Sequence, residues 1–152
     1  ADNVRADTRP IELRPALRPL ASGTPQTITL QIVPATLIAN SGATAAITAT
    51  VYDLTGELVS GVNLSGVITP STSGSLSLLS LSNAFGQSAG TWTAGSAIGS
   101  GTITIGDGVV SGTASVDLTA GTLTTVTVAP SSASVTANLT TTFTAAGSDA
   151  FG

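Results

Sequence analysis

The sequence lacks several of the residue types on which catalysis and cross-linking depend. Its 152 residues contain no Cys, His, Lys or Met, and only one Trp, one Tyr and three Phe. Without Cys there is no disulfide, thiolate zinc site or nucleophilic thiol. Without His, Lys or Cys, a Ser or Thr nucleophile lacks its usual general base. The sequence therefore predicts neither catalytic residues nor a cofactor.

Positive charge is missing from most of the chain. All four basic residues, Arg5, Arg9, Arg14 and Arg18, lie at the N-terminus, and no Lys, Arg or His follows from residue 19 to residue 152. The acids of that long segment are Asp53, Glu57, Asp107, Asp117 and Asp149. Because no side chain in that segment can neutralise phosphates, the sequence does not predict nucleic-acid binding. Few charges and many hydroxyl groups suit an extracellular or cell-surface protein.

What the chain does contain favours β-structure. Hydrophobic residues make up 41% of the sequence, Ser and Thr are abundant, and there are 17 Gly. Residues of this kind favour strands and turns over helices. No apolar run approaches the roughly 20 residues of a transmembrane helix, so none is predicted, and no signal peptide is apparent. The composition predicts an all-β fold with an aliphatic core.

Residues 1–25 differ from the rest and are predicted to form an extended arm or linker. Arg-Pro steps at 9–10, 14–15 and 18–19 rule out a persistent helix, because proline fixes φ and restricts the residue before it. The arm also carries apolar residues that a solvated linker does not need: Ile11, Leu13, Leu17 and Leu20. Two interpretations stay open, a tether and an assembly arm that docks on the edge of a neighbouring sheet.

From residue 26 to residue 121, short alternating runs are typical of a β-sandwich. "TITLQIV" and "ATAAITATVYD" alternate apolar and polar residues, and "GTITIGDGVVSGTASVDL" indicates a hairpin that turns at Gly106-Asp107-Gly108. About seven strands in a segment of this length are typical of a Greek-key sandwich. This segment is predicted to be one Greek-key β-sandwich domain.

Part of the sequence repeats. Shifted by 96 positions without a gap, so that Leu30 lies over Val126, residues 30–56 match residues 126–152. Pro34 then falls on Pro130, Asp53 on Asp149 and Gly56 on Gly152, while apolar positions 30, 32 and 47 fall on 126, 128 and 143. Repetition at this spacing predicts tandem domains. Residues 122–152 are expected to be the first strands of an incomplete second domain. Either the protein continues beyond residue 152, which we favour, or strands of another chain complete this domain.

Several blocks resemble the bacterial immunoglobulin-like repeats of invasin- and intimin-type surface proteins. They are "VTVAPSSASV", "TATVYDLTGELVSGV" with its Asp53-x-x-Gly56 turn, "NAFGQSAGTWTA" and "GSGTITI". The Ser-rich "STSGSLSLLSLS" and the absence of Lys depart from that pattern. The resemblance implies an immunoglobulin-like Greek-key β-sandwich in tandem repeats and a stalk, adhesion or layer-forming role, without implying a binding site.

The acidic residues give little indication of a chemical site. Asp53 and Glu57 are the only close pair, and they flank a predicted turn, where Asp most often accepts bonds from its own backbone. Calcium between sandwich domains needs several carboxylates and carbonyls, and near the junction at 118–125 only Asp117 is available. No metal site is predicted.

Two further groups of residues were candidates for sites. Asn63 and Asn138 head Asn-x-Ser/Thr sequons and are possible glycosylation sites, although a chain so rich in Ser and Thr produces sequons by chance. The aromatic residues Trp92, Tyr52, Phe85 and Phe143 could meet a ligand. Because large apolar side chains are scarce, we expect them to fill the core instead.

Three functional hypotheses follow. The first is a non-enzymatic structural or adhesion protein of the cell surface, built from tandem domains. The second is a self-assembling subunit of a filament, sheath or surface layer, joined to other copies by its N-terminal arm. The third, a carbohydrate-binding accessory module, would require a row of exposed aromatics. Partners are expected to be other copies of the chain or other surface proteins, with glycans as a further possibility.

Overall fold

The computed structural model describes residues 23–78 and 81–152, so the predicted assembly-arm residues Ile11, Leu13, Leu17 and Leu20 lie outside the described residues. Ten strands and one short 3-10 helix, Ser71–Ser73, make up the described part. The strands are β1 (Thr27–Val33), β2 (Thr36–Ile38), β3 (Thr44–Tyr52), β4 (Ser65–Thr69), β5 (Gly74–Leu78), β6 (Gln87–Ala94), β7 (Gly99–Gly106), β8 (Ser111–Thr119), β9 (Leu123–Ala129) and β10 (Thr144–Asp149). In the described segments, no helix could cross a membrane.

The first eight strands form two four-stranded sheets. One sheet has the order β1-β3-β6-β5 and the other β2-β8-β7-β4. All neighbours are antiparallel except β2 and β8, which are parallel. Connections of this kind define the Greek-key immunoglobulin sandwich, so the predicted fold class is confirmed.

The first strand divides between the two sheets. β1 pairs with β3 in one sheet, while β2 pairs with β8 in the other. The Val33–Pro34 peptide, which is cis, lies between them. Proline cannot donate to a ladder, and pairing with β3 ends at Val33. β1 and β2, which follow each other in the chain, are therefore edge strands of the two different sheets.

The core consists of the inward residues of both sheets. Alternation in β3 buries Ala45, Ile47, Ala49 and Val51, as the sequence pattern predicts. The facing sheet contributes its own buried aliphatics: Ile103, Ile105, Val116 and Leu118. The predicted β7–β8 hairpin is confirmed, with Gly106 opposite Ser111 across the Asp107 turn. Side chains of this type, removed from water, supply the main driving force for the fold.

The prediction that the aromatics fill the core is right for one of four. Trp92 on β6 is fully buried, and Tyr52 is half-buried at the end of β3. Phe85 is 69% exposed in the turn before β6, and Phe143 is 51% exposed just before β10. Scarcity of aromatics was a poor guide because the aliphatic residues already occupy the space between the sheets.

β9 and β10 form a separate two-stranded sheet, and its register corrects the ungapped alignment. In the first domain Thr27 lies opposite Tyr52, whereas here Thr125 lies opposite Ser148. β10 therefore matches β3 at a shift of 96, but β9 matches β1 at a shift of 98, which aligns "GTPQTITL" (23–30) with "GTLTTVTV" (121–128). The chain from this Gly-Thr pair to the following proline is two residues shorter in the second unit (121–130) than in the first (23–34). A two-residue shift keeps every side chain on its face, so alternation alone did not reveal it.

Candidate interaction surfaces and repeated carboxylate turns

Asp53 organises the turn that follows β3. Its Oδ1 accepts hydrogen bonds from the Thr55 N–H (2.8 Å), the Thr55 hydroxyl (2.7 Å) and the Glu57 N–H (3.0 Å). The Thr55 hydroxyl, and after it the Glu57 N–H, hold the pKa of Asp53 below its ordinary value, because they stabilise the charged form. The turn-capping role predicted for Asp53 is what the structure shows.

Asp149 repeats this arrangement at the end of β10. Its Oδ1 accepts the Phe151 N–H at 2.8 Å, and its Oδ2 accepts the N–H of Gly121, in the linker before β9. These two donors, Phe151 first, lower the pKa of Asp149. A Cβ at Gly121 would lie only 2.7 Å from Asp149 Oδ2. A side chain at residue 121 would therefore require the Asp149 carboxylate or the linker to move.

The first domain has the same close approach before β1. A Cβ at Gly23 would collide with the carboxylate of Asp53. Gly23 and Gly121 are 98 positions apart, the same shift that relates β1 to β9. Asp53 and Asp149 are 96 positions apart, the shift that relates β3 to β10. This pairing of glycine with aspartate was not predicted from the sequence. Its signal was the repeated Gly-Thr that precedes each strand, which the ungapped alignment placed out of register.

The other carboxylates of the sandwich also have structural partners. Asp107 Oδ1 accepts the N–H groups of Val110 (2.8 Å) and Val109 (2.9 Å), and these bonds, that of Val110 first, lower the pKa of Asp107. Asp117 accepts the Ser100 hydroxyl at 2.7 Å. Across residues 23–78 and 81–152, no group of three His, Cys, Asp or Glu is placed to hold a metal ion. These acids shape turns and strands and do not converge on a cleft.

Both sequons lie at the surface. Asn63 is exposed, and its backbone pairs with that of Leu81 in a single antiparallel β-bridge outside the ten strands. Asn138 is exposed in a turn with φ of 69°, a left-handed conformation that Asn tolerates better than most residues. The attachment of glycans at Asn63 and Asn138 stays a prediction.

Two apolar surfaces remain exposed. One is a face of the β9–β10 sheet, where Val126 lies opposite Gly147 and Val128 opposite Ala145. Val126 is 59% exposed, whereas its counterpart Ile28 in the first domain is 5% exposed. The second surface is an open groove of about 260 Å³ that lies over β4, its partner β7 and the β7–β8 turn. Its lining includes Ser65, Val67, Thr104, Gly108, Val109 and Val110.

Solved structures of bacterial adhesins share this architecture. The Yersinia pseudotuberculosis adhesin InvE matches with a TM-score of 0.56 and 23% identity, over 66% of this chain and 28% of that one. The Escherichia coli adhesin FdeC matches with a TM-score of 0.58 and 21% identity, over 85% of this chain and 42% of that one. Y. pseudotuberculosis InvD matches with a TM-score of 0.52 and 25% identity, over 67% and 31% of the two chains.

The sandwich has the immunoglobulin-like fold of invasin/intimin-type adhesins. This confirms the family resemblance seen in the sequence, at the level of the fold. The chain spans less than half of the length of each of these three structures. No protein-family model matches the sequence, and no curated protein is significantly similar to it.

Proposed function

We propose that this is a non-enzymatic structural or adhesion protein of the cell surface, built from tandem immunoglobulin-like domains. The observation that carries the proposal is the recurrence of one structural unit within the chain. A linker glycine, a first strand and an Asp turn occur at Gly23, β1 and Asp53, and again at Gly121, β9 and Asp149. A repeated rigid domain suits a spacer, because each copy adds a fixed length.

The second unit is proposed to be the start of another sandwich. In the first domain, the face that carries Ile28 and Val51 is buried against the opposite sheet. The matching face of the β9–β10 sheet, with Val126 and Gly147, is exposed. Two strands alone do not bury a core. Strands equivalent to β4, β7 and β8 would cover this face and complete the domain.

The use of the carboxylates supports a non-enzymatic role. Asp53, Asp107 and Asp149 each accept backbone N–H groups of their own turn, and Asp117 pairs with a hydroxyl. Their charges stabilise local backbone geometry, and the lowered pKa values keep the three turn residues ionised at neutral pH. Adhesive contacts, if the protein makes them, would involve loops at the ends of a sandwich.

Antibody labelling of intact cells tests the proposed location. We expect labelling without permeabilisation, and electron micrographs of the native material should show elongated rods or an ordered layer at the surface. Labelling that requires permeabilisation would contradict a surface role. Treating intact cells with an external protease provides the control, since only surface material should be lost.

The separation of charge favours one second candidate, a subunit that assembles with its own copies. All four Arg lie within residues 1–18, whereas residues 19–152 contain five acids and no base. The first 18 residues also contain Asp2, Asp7 and Glu12, so their net charge is only +1. Their Arg side chains can still pair with the acids of another copy, which favours association between copies. Deleting residues 1–22 should abolish assembly measured by sedimentation. Unchanged assembly would exclude the arm as the connector.

A further inference from the structure

The connection between the sandwich and the β9–β10 sheet is short and begins at a fixed point. β8 ends at Thr119 and β9 begins at Leu123, so the linker consists of residues 120–122. The Thr119 carbonyl oxygen accepts the Ala39 N–H at 3.0 Å, and the Thr119 hydroxyl donates to the Leu37 carbonyl oxygen at 3.4 Å. Because the end of β8 is anchored in this way, the direction of the β9–β10 sheet depends on the few backbone dihedrals of the linker.

Asp149 joins this linker to the end of β10. Its Oδ1 accepts the Phe151 N–H of its own turn, while its Oδ2 accepts the Gly121 N–H, from a residue 28 positions earlier in the chain. In the first domain, Asp53 accepts three hydrogen bonds from its turn through Oδ1. One carboxylate oxygen is therefore enough to cap a turn of this kind, and the second oxygen of Asp149 serves the linker.

The same oxygen faces the entering chain in both units. A Cβ at Gly23 would lie nearest to Asp53 Oδ2, and a Cβ at Gly121 would lie nearest to Asp149 Oδ2. Gly23 precedes β1 as Gly121 precedes β9. An approach that occurs twice, with the same atoms, is a property of the repeated unit and not of one linker.

Close packing between the two units does not fix their relative direction. Ile98, in the loop between β6 and β7, and Leu123, at the start of β9, line an open cavity of about 260 Å³. Ile98 is 65% exposed and Leu123 is 60% exposed. The cavity has several times the volume of a water molecule, about 30 Å³, so apolar contact across it is incomplete. The direction of the second unit therefore depends on the hydrogen bond between Gly121 and Asp149.

The charge of Asp149 strengthens this bond. The Phe151 N–H, and after it the Gly121 N–H, lower the pKa of Asp149, so its carboxylate is ionised at neutral pH. A charged acceptor makes a stronger hydrogen bond than a neutral one. The linker, β9, β10 and the loop at 95–98 contain no other titratable side chain, and residues 19–152 contain no Lys, Arg or His. No cation in that segment competes with the Gly121 N–H for the carboxylate.

We propose that Asp149 fixes the direction of the β9–β10 unit relative to the sandwich, by holding the linker at Gly121 with one carboxylate oxygen while the other caps its own turn. Asp149 is then a positioning residue for the domain that follows. The functional meaning of this inference rests on the proposed spacer role, because a spacer has a defined reach when successive domains keep a fixed direction. A free junction would leave the surface location untouched, so the two proposals fail separately.

Nuclear magnetic resonance of the full chain tests the contact itself. The amide proton of Gly121 should shift with pH at the same midpoint as the carboxyl carbon of Asp149, and this midpoint should lie below the ordinary pKa of Asp. Asp149→Asn cannot ionise and has one acceptor oxygen for two N–H groups. In this variant the pH-dependent shift of Gly121 should vanish, and its amide exchange should accelerate at least about tenfold. A Gly121 amide that does not respond to pH in the unmodified chain would overturn the proposal.

Relaxation of the amide nitrogens tests the effect on direction. In the unmodified chain we expect the β9–β10 amides to report the same rotational correlation time as the sandwich, and in Asp149→Asn a shorter one. Asp53→Asn is the matched control, because Asn retains the single oxygen that caps the Asp53 turn, and both values should stay equal. Ile98→Ser tests the alternative that apolar contact fixes the direction, and it should also leave both values equal.

Three results would contradict the role of Asp149 at the linker. Independent tumbling of β9–β10 in the unmodified chain would show that the linker is free. Unchanged tumbling in Asp149→Asn would show that the hydrogen bond is unimportant, and a change in Ile98→Ser would then assign the direction to apolar contact. Loss of the cross-strand contacts between Val126 and Gly147 in Asp149→Asn would show that the carboxylate holds the sheet itself together and not the linker.

Discussion

Trp92 and Ser73 are joined by a buried hydrogen bond in which the indole N–H donates to the Ser73 carbonyl oxygen at 2.9 Å. Trp92 is 0% exposed and Ser73 is 2% exposed. The Gly95 N–H donates to the same oxygen at 3.3 Å. The one large aromatic of the core thus packs between the sheets and also fixes the 3-10 turn that leads into β5.

Removing this side chain should be the most costly single change in the core. Trp92→Ala is expected to lower the free energy of unfolding by about 3–5 kcal/mol, because it creates a large cavity. Trp92→Phe should cost less, since it keeps most of the packing and loses a hydrogen bond worth about 1 kcal/mol. Urea denaturation followed by circular dichroism measures both values. Phe85→Ala is the control, and a cost there above about 0.5 kcal/mol would be inconsistent with its exposure.

The Asp53 turn predicts a dependence of stability on pH. The pKa of Asp53 in the folded state lies below its ordinary value, so the stability that the charged form contributes is present above the ordinary pKa and is lost as pH falls through the folded pKa. We expect the unfolding midpoint in urea to decline below about pH 4. Asp53→Asn keeps an acceptor oxygen but cannot ionise. Its curve should be flatter over the same range, and an identical slope in both proteins would exclude this carboxylate as a source.

The contact between Gly121 and Asp149 predicts a local effect of a small substitution. Gly121→Ala places a Cβ about 2.7 Å from Asp149 Oδ2, so the carboxylate must turn away or the linker must shift, and either change weakens the hydrogen bond from the Gly121 N–H to Asp149. Amide hydrogen exchange in residues 121–129 should accelerate, while exchange in the sandwich stays unchanged. Thr122→Ala, at the next residue, is the matched control. Equal exchange in the two variants would show that the close approach is unimportant in solution.

The register of β9 and β10 can be measured directly. The structure places Val126 opposite Gly147 and Val128 opposite Ala145. The ungapped repeat would instead place Val126 opposite Ala145. Cross-strand nuclear Overhauser effects between backbone protons distinguish the two arrangements, and we expect the first set. Contacts between Val126 and Ala145 would show that β9 and β10 are both related to the first domain by a shift of 96.

The sequence predicted those features that depend on period and turn chemistry. Alternation located the buried face of β3, Asp107 located the hairpin, and the Asp-x-x-Gly pattern located the cap at Asp53. The exposure of Phe85 and Phe143 could not be predicted, because burial depends on which space the aliphatic residues leave. The two-residue difference in the spacing between the Gly-Thr pair and the proline was equally hidden, since a change of two residues preserves the alternation. The contact of Gly121 with Asp149 depends on a backbone approach that no local pattern specifies.

The division of the first strand between two sheets has a mechanical consequence. The chain enters β1 at Thr27 and leaves β8 at Thr119, at opposite ends of the sandwich, and β2 runs parallel to β8. Tension applied through the two ends therefore acts along the strands. The backbone hydrogen bonds between β1 and β3 and between β2 and β8 are then loaded in shear, all at the same time, and do not open one after another. A domain connected in this way resists extension, which benefits a protein exposed to flow or to traction between cells.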